Sequence, residues 1–237
     1  MAVTMPRFAR FVMPGCAHHV TQRGNNRQDV FFVDDDRPVY LAVLAQQAEK
    51  FGLEVLGYCL MSNHLHLIAV PQQAESLAKA VGRTHFLYTQ YVNRLHGRVG
   101  HLWQNRFYSC PLDEEHFWEA LRYVERNPVR AKLVRRAWRY RWSSAAAHCG
   151  QPDRSGLLDM AKWAKLSRGW DWSAALTEPQ DDEVVSRLRL GTSRGRPVGS
   201  EKFLSKLERL AGRRLRPLAV GRPPKKRRAT AKRRKNR

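Results

Sequence analysis

Two histidines in one short apolar segment are the first residues of this sequence that could do chemistry. The segment His64-Leu65-His66 begins an apolar run that predicts a β-strand over 64–70. Because side chains alternate along a strand, His64 and His66 would point to one face of a sheet and Leu65 to the other. Two imidazoles at this spacing can bind one metal ion. The same pattern also fits two polar residues on a solvated sheet face.

A tyrosine and an asparagine four residues apart form the second candidate. The apolar pattern predicts a helix from about Glu114 to Arg126, which ends there because Pro128 disfavours helical geometry at Asn127. Tyr123 and Asn127 lie about 40° apart around that helix, at the edge of its apolar stripe. Their side chains could reach over a sheet face. Alternatively, they are a boundary tyrosine and a helix-terminal asparagine.

Together these residues predict a metal site for phosphate chemistry. An oxygen ligand from Asn127 beside His64 and His66 would leave positions open for phosphate oxygens and water. This mixed nitrogen and oxygen set predicts Mg²⁺ or Mn²⁺ rather than a structural zinc. Such an ion can polarise a phosphate and position it against a nucleophile. Tyr123 would present its hydroxyl at the same site.

The elements that must position these residues occur in the order β-α-β-β-α-β, followed by a helix. Strands are predicted at 17–23, 53–61, 64–70 and 105–112, with helices from about Pro38 to Phe51 and from Leu77 to Leu95. This order predicts an α+β fold with the ferredoxin-like split β-α-β arrangement, in which helices cover one face of an antiparallel sheet. The other face would then be free to carry the site.

Three regions are predicted along the chain. Residues 1–150 would form the catalytic domain, and residues 151–212 a helical C-terminal extension. Within the extension, 191–199 is predicted as a linker and 200–211 as an amphipathic helix with Ser200 as its N-cap. Residues 213–237 contain 13 basic residues and no acidic ones. We expect this basic tail to bind DNA and to be disordered when no ligand is bound.

Charge and composition restrict the partners. The formal net charge of +22 predicts a polyanionic partner, and the part of the chain before the tail is itself basic, with 30 basic and 21 acidic residues. Four cysteines without a CxxC pair argue against a zinc finger or a disulfide scaffold. No apolar run has membrane-spanning length and no signal peptide is evident. The sequence therefore predicts a cytoplasmic protein without a membrane partner.

Four segments of the sequence resemble the REP-associated tyrosine transposases of the single-tyrosine HUH transposase superfamily: MSNHLHLIAVP, GHLWQNRF, LRYVERNPVRAKLV and YRWSS. The resemblance covers roughly residues 8–150, in the same order and spacing. It implies an HUH-endonuclease type of fold, with His64 and His66 as metal ligands and Tyr123 as the nucleophile. Asn127 stands where better-known mobile relatives carry a glutamine ligand.

The resemblance also implies an activity. Tyr123 would cleave single-stranded DNA near a hairpin or palindromic repeat, form a 5′-phosphotyrosine and free a 3′-hydroxyl that can rejoin another strand, as in DNA transposition. Because a tyrosine hydroxyl is a weak acid, the metal or a bound water must help to remove its proton. The relatives act as monomers or homodimers, and such a protein would be associated with the nucleoid.

Two other functions compete with this one. The first is a domesticated hairpin-DNA-binding protein or autoregulator that does not turn over. The second is a general RNA- or DNA-binding protein driven by the tail. A pure binding protein has no need for a combined histidine, tyrosine and asparagine set, so the sequence favours the enzyme.

Several side chains around the site are predicted to hold DNA. They are His19, Arg23 and Asn25 near the first strand, Trp103, Gln104 and Arg106 before the fourth strand, and Arg122 and Arg126 beside Tyr123. Aromatic and guanidinium planes can stack on unpaired bases, and arginines neutralise phosphates. Trp103 alternatively packs in the core, and Arg23 and Arg106 alternatively lie on a solvated surface.

Two Gly-Arg-Pro triplets, which contain Arg196 and Arg222, are the last DNA-binding candidates. They resemble the cores of AT-hook peptides, in which an Arg-Pro segment lies in a narrow A·T minor groove. Non-specific phosphate binding by the basic tail is the alternative interpretation.

Overall fold

A four-stranded antiparallel sheet organises the chain in a computed structural model, which describes residues 10–216. Its strands are β1 (His18–Arg23), β2 (Leu53–Leu60), β3 (His64–Pro71) and β4 (Tyr108–Pro111). They lie in the order β2-β3-β1-β4, and each neighbouring pair is antiparallel. This order is that of the split β-α-β arrangement. The predicted α+β ferredoxin-like fold is therefore confirmed.

Two long helices cover the first face of the sheet. They are α1 (Asp36–Phe51) and α2 (Ser76–Leu95), which pack against each other. The sheet contributes Val20, Leu65 and Leu67 to the core beneath them, and the helices contribute Tyr40 and Tyr88. Strand alternation therefore sends Leu65 and Leu67 into this core and leaves His64 and His66 on the opposite face.

The second face carries helix α3 (Glu114–Glu125) and the C-terminal extension. The elements that follow α3 are α4 (Asn127–Arg130), a 3-10 turn (Ala137–Arg139), α5 (Ala145–His148), α6 (Met160–Leu166), α7 (Trp172–Thr177), α8 (Asp182–Arg194) and α9 (Glu201–Ala211). Ile68 and Cys110 of the sheet share a core with Leu121 of α3 and with Leu176 and Leu188 of the extension. The prediction that helices cover only one face is thus wrong, because the extension folds back over the second face.

Local structure departs from the sequence predictions at three places. The fourth strand begins at Tyr108 rather than at 105. Pro128 does not simply end a helix, because it lies in the first turn of α4, where its fixed φ is accommodated. The predicted linker at 191–199 is wrong in its first part, since α8 continues to Arg194 and ends at Gly195, whose φ is +60°.

The end of the described chain contains the predicted helix α9 and a packed segment after it. The hydroxyl of Ser200 accepts a hydrogen bond from the Phe203 N–H, so the predicted N-cap of α9 is confirmed. Beyond α9 the chain stays packed through Arg216, because Leu215 is buried and Arg216 forms an ion pair with Glu208. The rest of the predicted disordered tail lies outside the described residues. Within residues 10–216, no helix has the length and apolar character needed to cross a membrane.

Candidate active site

The predicted chemical residues meet in one cleft on the second face of the sheet. The ring of Tyr123 lies perpendicular to that of His66, with 5.5 Å between centroids, and the rings of His64 and His66 are 5.2 Å apart. Asn127 lines the same cleft, close to His64. The cleft has a volume of about 730 Å³. The structure thus brings together all four residues that the sequence singled out for chemistry.

A buried chain of hydrogen bonds leads from α8 to His66. Nε2 of His19 lies 2.9 Å from Nδ1 of His66, and Nδ1 of His19 lies 2.7 Å from the Thr192 hydroxyl. The Thr192 hydroxyl donates its own proton to the Leu188 carbonyl at 2.8 Å, so toward His19 it can only accept. His19 must therefore carry its proton on Nδ1 and offer a lone pair on Nε2.

The same reasoning assigns the tautomer of His66. Because His19 Nε2 accepts, His66 Nδ1 must carry the proton and donate it. The Nε2 nitrogen of neutral His66 is then unprotonated and has a free lone pair. His64 is arranged in a similar way, since its Nδ1 lies 2.7 Å from the side-chain oxygen of Asn63 and donates to it. Both histidines thus present an Nε2 lone pair, the arrangement in which metal-binding histidines are usually held.

Burial keeps these histidines neutral. It lowers the pKa of His64 to about 4, with Arg23 as a further cause, and it lowers the pKa of His66 well below the usual value. Neutral imidazole is the form that binds a metal, so the two side chains are ready as ligands at neutral pH. Within residues 10–216 no three His, Cys, Asp or Glu side chains are grouped to hold an ion. Two histidines and an amide oxygen fit a cation that takes its remaining ligands from phosphate and water.

Two arginines surround the tyrosine. Arg189 of α8 donates from Nε to the Tyr123 hydroxyl oxygen at 3.3 Å. The guanidinium of Arg130 lies over the tyrosine ring, 4.1 Å from its centroid, and donates to the Tyr123 backbone carbonyl. Both side chains place a positive charge beside Tyr123. They can also attract a phosphate group to the cleft.

Some predicted DNA-binding residues border this cleft and some do not. Arg23 and Gln104 are exposed and line it. Asn25 and Arg106 line an adjoining cleft. Trp103 also lines that adjoining cleft, but its ring packs on His85 with 4.4 Å between centroids and its N–H donates to the His85 carbonyl. The core-packing alternative therefore describes Trp103 better.

The structure contradicts a direct role in DNA contact for three residues. His19 is only 1% exposed, and both of its ring nitrogens are occupied by Thr192 and His66. Arg122 donates to Glu119 and to backbone carbonyls of the extension, including that of Ala175. Arg126 donates to the carbonyls of Leu176 and Glu178. The two arginines flank Tyr123 in sequence, but on the helix they point toward the extension and hold it.

The two Gly-Arg-Pro triplets have separate outcomes. Arg196 donates to the carbonyls of Arg214 and Leu215 at 3.2 and 3.1 Å, so it holds the chain that follows α9 and does not line the cleft around Tyr123. Arg222 lies outside the described residues.

Three site residues were missed by the sequence analysis. Arg130 lies three residues after Asn127, which is helical spacing, so the pattern around Tyr123 could have suggested it. Arg189 and Thr192 belong to a helix that the sequence predicted only as part of an extension. No local pattern places that helix over the sheet.

The chain is similar to proteins of known family or structure. Residues 12–127 match a family model described as transposase IS200 like. A solved REP-associated tyrosine transposase, described as bound to a REP hairpin, is 15% identical over 66% of this chain and 90% of its own, with a TM-score of 0.50. A proposed transposase from Deinococcus radiodurans is 20% identical over 53% of this chain and 96% of its own, with a TM-score of 0.33. No curated protein matches the sequence.

Proposed function

We propose that this protein nicks single-stranded DNA with Tyr123 and transfers the cleaved strand, because residues 12–127 match the family model of the IS200-like transposases. The observation that carries the proposal is the meeting of Tyr123 with His64 and His66 in one cleft. A protein that only bound DNA would gain nothing from a buried tyrosine beside two neutral histidines. The family match and the geometry therefore support the same chemistry.

The reaction needs a phenolate and a scissile phosphate in the same place. Tyr123 Oη would lose its proton to water and attack the phosphorus atom, forming an O–P bond to the 5′ side of the break. The P–O3′ bond would break as the departing O3′ takes up a proton from water, which leaves a 3′-hydroxyl. Arg189 donates to the attacking oxygen, so the phenolic proton must point elsewhere. Attack of a 3′-hydroxyl on the phosphotyrosine would reverse the step and join a new strand.

His64, His66 and Asn127 would hold a divalent cation, Mg²⁺ or Mn²⁺, through two imidazole nitrogens and an amide oxygen. When bound, this cation would polarise the scissile phosphate. Around it, His19 and Thr192 keep the Nε2 lone pair of His66 aimed at the cleft.

For the substrate we propose a hairpin with an unpaired strand beside it. A solved protein of this fold is described as bound to a REP hairpin, which supports a hairpin partner. The high positive charge of the chain supports a nucleic acid in general. Such a protein would work at the nucleoid, as a monomer or a homodimer.

The test is a covalent-adduct assay. A labelled DNA hairpin with unpaired flanks is incubated with the wild type and with Tyr123→Phe, with Mn²⁺ or EDTA, and run on a denaturing protein gel. We expect an adduct with the wild type in Mn²⁺ only, none with Tyr123→Phe, and none with His64→Ala. Hairpin affinity should stay within a few-fold in Tyr123→Phe, because only the hydroxyl is lost. An adduct in Tyr123→Phe, or undiminished cleavage in EDTA, would contradict the proposal, and tight binding without any adduct would indicate a binding protein.

A further inference from the structure

A second pocket, separate from the catalytic cleft, lies at the β4 edge of the sheet. It has a volume of about 340 Å³, and five arginines line it: Arg10, Arg106, Arg194, Arg196 and Arg213. No acidic side chain is among its described lining residues. We call it the arginine pocket. Five cations without an acid form a local excess of positive charge, which favours an anionic ligand.

The arginines come from three distant parts of the chain and are held close together. Arg10 stacks on the ring of Phe107, 3.6 Å from its centroid, and donates to the Phe107 carbonyl. Arg106 is close enough to help lower the pKa of Arg10 to about 10, for which burial is the larger cause. Arg196 is fixed by its bonds to the carbonyls of Arg214 and Leu215. Contacts within the protein thus hold Arg10 and Arg196 in place at this concentration of charge.

Two of the arginines are available to a ligand. Arg106 and Arg194 are exposed, and neither forms an ion pair or side-chain hydrogen bond within residues 10–216. Guanidinium groups donate two parallel hydrogen bonds to phosphate oxygens, which makes arginine well suited to a phosphodiester. The neighbouring Tyr108 is 41% exposed and offers a ring on which a base could stack.

The arginine pocket adjoins the catalytic cleft. Tyr108 and Ser193 line both, so they form the ridge between them. Arg194 in the pocket and Arg189 at the Tyr123 hydroxyl belong to the same helix, α8. A strand that reaches Tyr123 can therefore cross Tyr108 and enter the pocket without leaving the protein surface.

We propose that the arginine pocket binds the backbone phosphates of the unpaired DNA strand next to the scissile phosphate, with Tyr108 stacking one of its bases. This inference rests on the proposed function and specifies how the substrate is held. The pocket contacts phosphates and a base face, so it adds affinity for single-stranded DNA of any sequence.

The experiment measures the contribution of an unpaired tail to binding. Three fluorescent probes share one DNA hairpin: blunt, with a 5′ tail of eight thymidines, and with a 3′ tail of eight thymidines. Their Kd values are measured over a salt series for the wild type and for Arg106→Gln/Arg194→Gln. We expect one of the two tails to lower the Kd of the wild type. At 0.1 M salt the double variant should bind that tailed probe about tenfold more weakly than the wild type, with little change in its Kd for the blunt hairpin. The log–log salt slope should fall by about 1.4, or about 0.7 per lost single-strand contact.

A matched control removes the same charge elsewhere. Arg168 and Arg187 are exposed and line neither the catalytic cleft nor the arginine pocket, so Arg168→Gln/Arg187→Gln should retain the tail effect. An equal loss on the blunt and tailed hairpins, or an undiminished tail effect in the double variant, would overturn the proposal. The adduct assay is read separately. An adduct at Tyr123 with no arginine-dependent tail effect refutes the pocket alone, and a tail effect without an adduct refutes the proposed nicking alone.

Discussion

Replacement of Thr192 by valine tests whether the C-terminal extension controls the proposed metal site. Valine resembles threonine in shape but lacks the hydroxyl that accepts from His19 Nδ1 at 2.7 Å. His19 is almost fully buried, so its Nδ1–H would lose its only partner. The tautomer with the proton on Nε2 would then no longer be disfavoured. In that state His66 Nδ1 must accept, and the His66 proton moves to Nε2, the nitrogen that would bind the metal.

The size of the effect follows from the lost hydrogen bond. A buried donor without a partner costs about 1–3 kcal/mol, and this is the bias that Thr192 supplies toward the productive tautomer. Loss of that bias corresponds to a fall in metal affinity of roughly 10–100-fold, the range found when a hydrogen-bond partner of a metal-binding histidine is removed. Cleavage should recover at higher Mn²⁺, because Tyr123, His64 and His66 remain in place.

Two measurements check the expectation. Mn²⁺ affinity is measured by electron paramagnetic resonance titration of wild type, Thr192→Val and Thr192→Ser in the absence of DNA. Nitrogen-15 NMR of the histidine rings then reports which nitrogen of His19 and His66 carries the proton. Thr192→Ser retains a hydroxyl and should bind Mn²⁺ nearly as well as the wild type. If Thr192→Val binds Mn²⁺ with wild-type affinity and an unchanged histidine spectrum, the hydrogen-bond chain does not orient His66 and the reasoning is refuted.

Three further predictions concern stability, pH and the tail. Trp172→Phe removes the indole N–H that donates to the buried Glu125 carboxylate at 2.7 Å. It should lower the free energy of unfolding, measured in urea titrations, by about 2 kcal/mol. As a control, Trp170→Phe at a half-exposed position should change this free energy by less than about 0.5 kcal/mol. Burial lowers the pKa of His85 to about 3, so as the pH falls the unfolded chain takes up a proton on this imidazole before the folded protein does. The contribution of neutral His85 to the free energy of unfolding is therefore present above about pH 6.5 and is lost toward pH 3, by up to about 1.4 kcal/mol per pH unit. His85→Gln should flatten this pH dependence between about pH 7 and 5. Truncation after Arg216 removes ten basic residues. If half of them contact phosphates, the slope of log affinity for single-stranded DNA against log salt concentration should fall by roughly 3–4, while the cleaved phosphate stays the same. A shifted cleavage position would show that the tail recognises sequence.

Short-range features of the site were predictable because they depend on neighbouring residues. The two-residue period of a strand separates His64 and His66 from Leu65, and the structure places them on opposite faces as expected. The four-residue spacing of Tyr123 and Asn127 likewise puts both side chains in one cleft, although α3 ends at Glu125 and Asn127 is the first residue of α4. The order of strands and helices was sufficient for the sheet topology, since few connections satisfy it.

Predictions failed where a residue's partner lies far away in sequence. Arg122 and Arg126 are of a residue type that often binds DNA, yet their guanidinium groups donate to backbone carbonyls about 50 residues later in the chain. His19 is basic and lies near the site, but Thr192, 173 residues away, occupies one of its nitrogens. Amino-acid type alone does not distinguish a free guanidinium or imidazole from one already bonded within the protein.

The sequence by itself therefore determined the sheet, the pairing of two histidines on one face, the tyrosine and asparagine spacing, and the excess of positive charge. Only the tertiary structure decided that α8 lies over the second face, where it brings Arg189 to the Tyr123 hydroxyl and Thr192 to His19. The physical reason is that periodicity records which side of an element is apolar, but not which distant element covers it. That choice depends on the combined packing of Leu188 and its neighbours against the sheet, a long-range property that no local pattern contains.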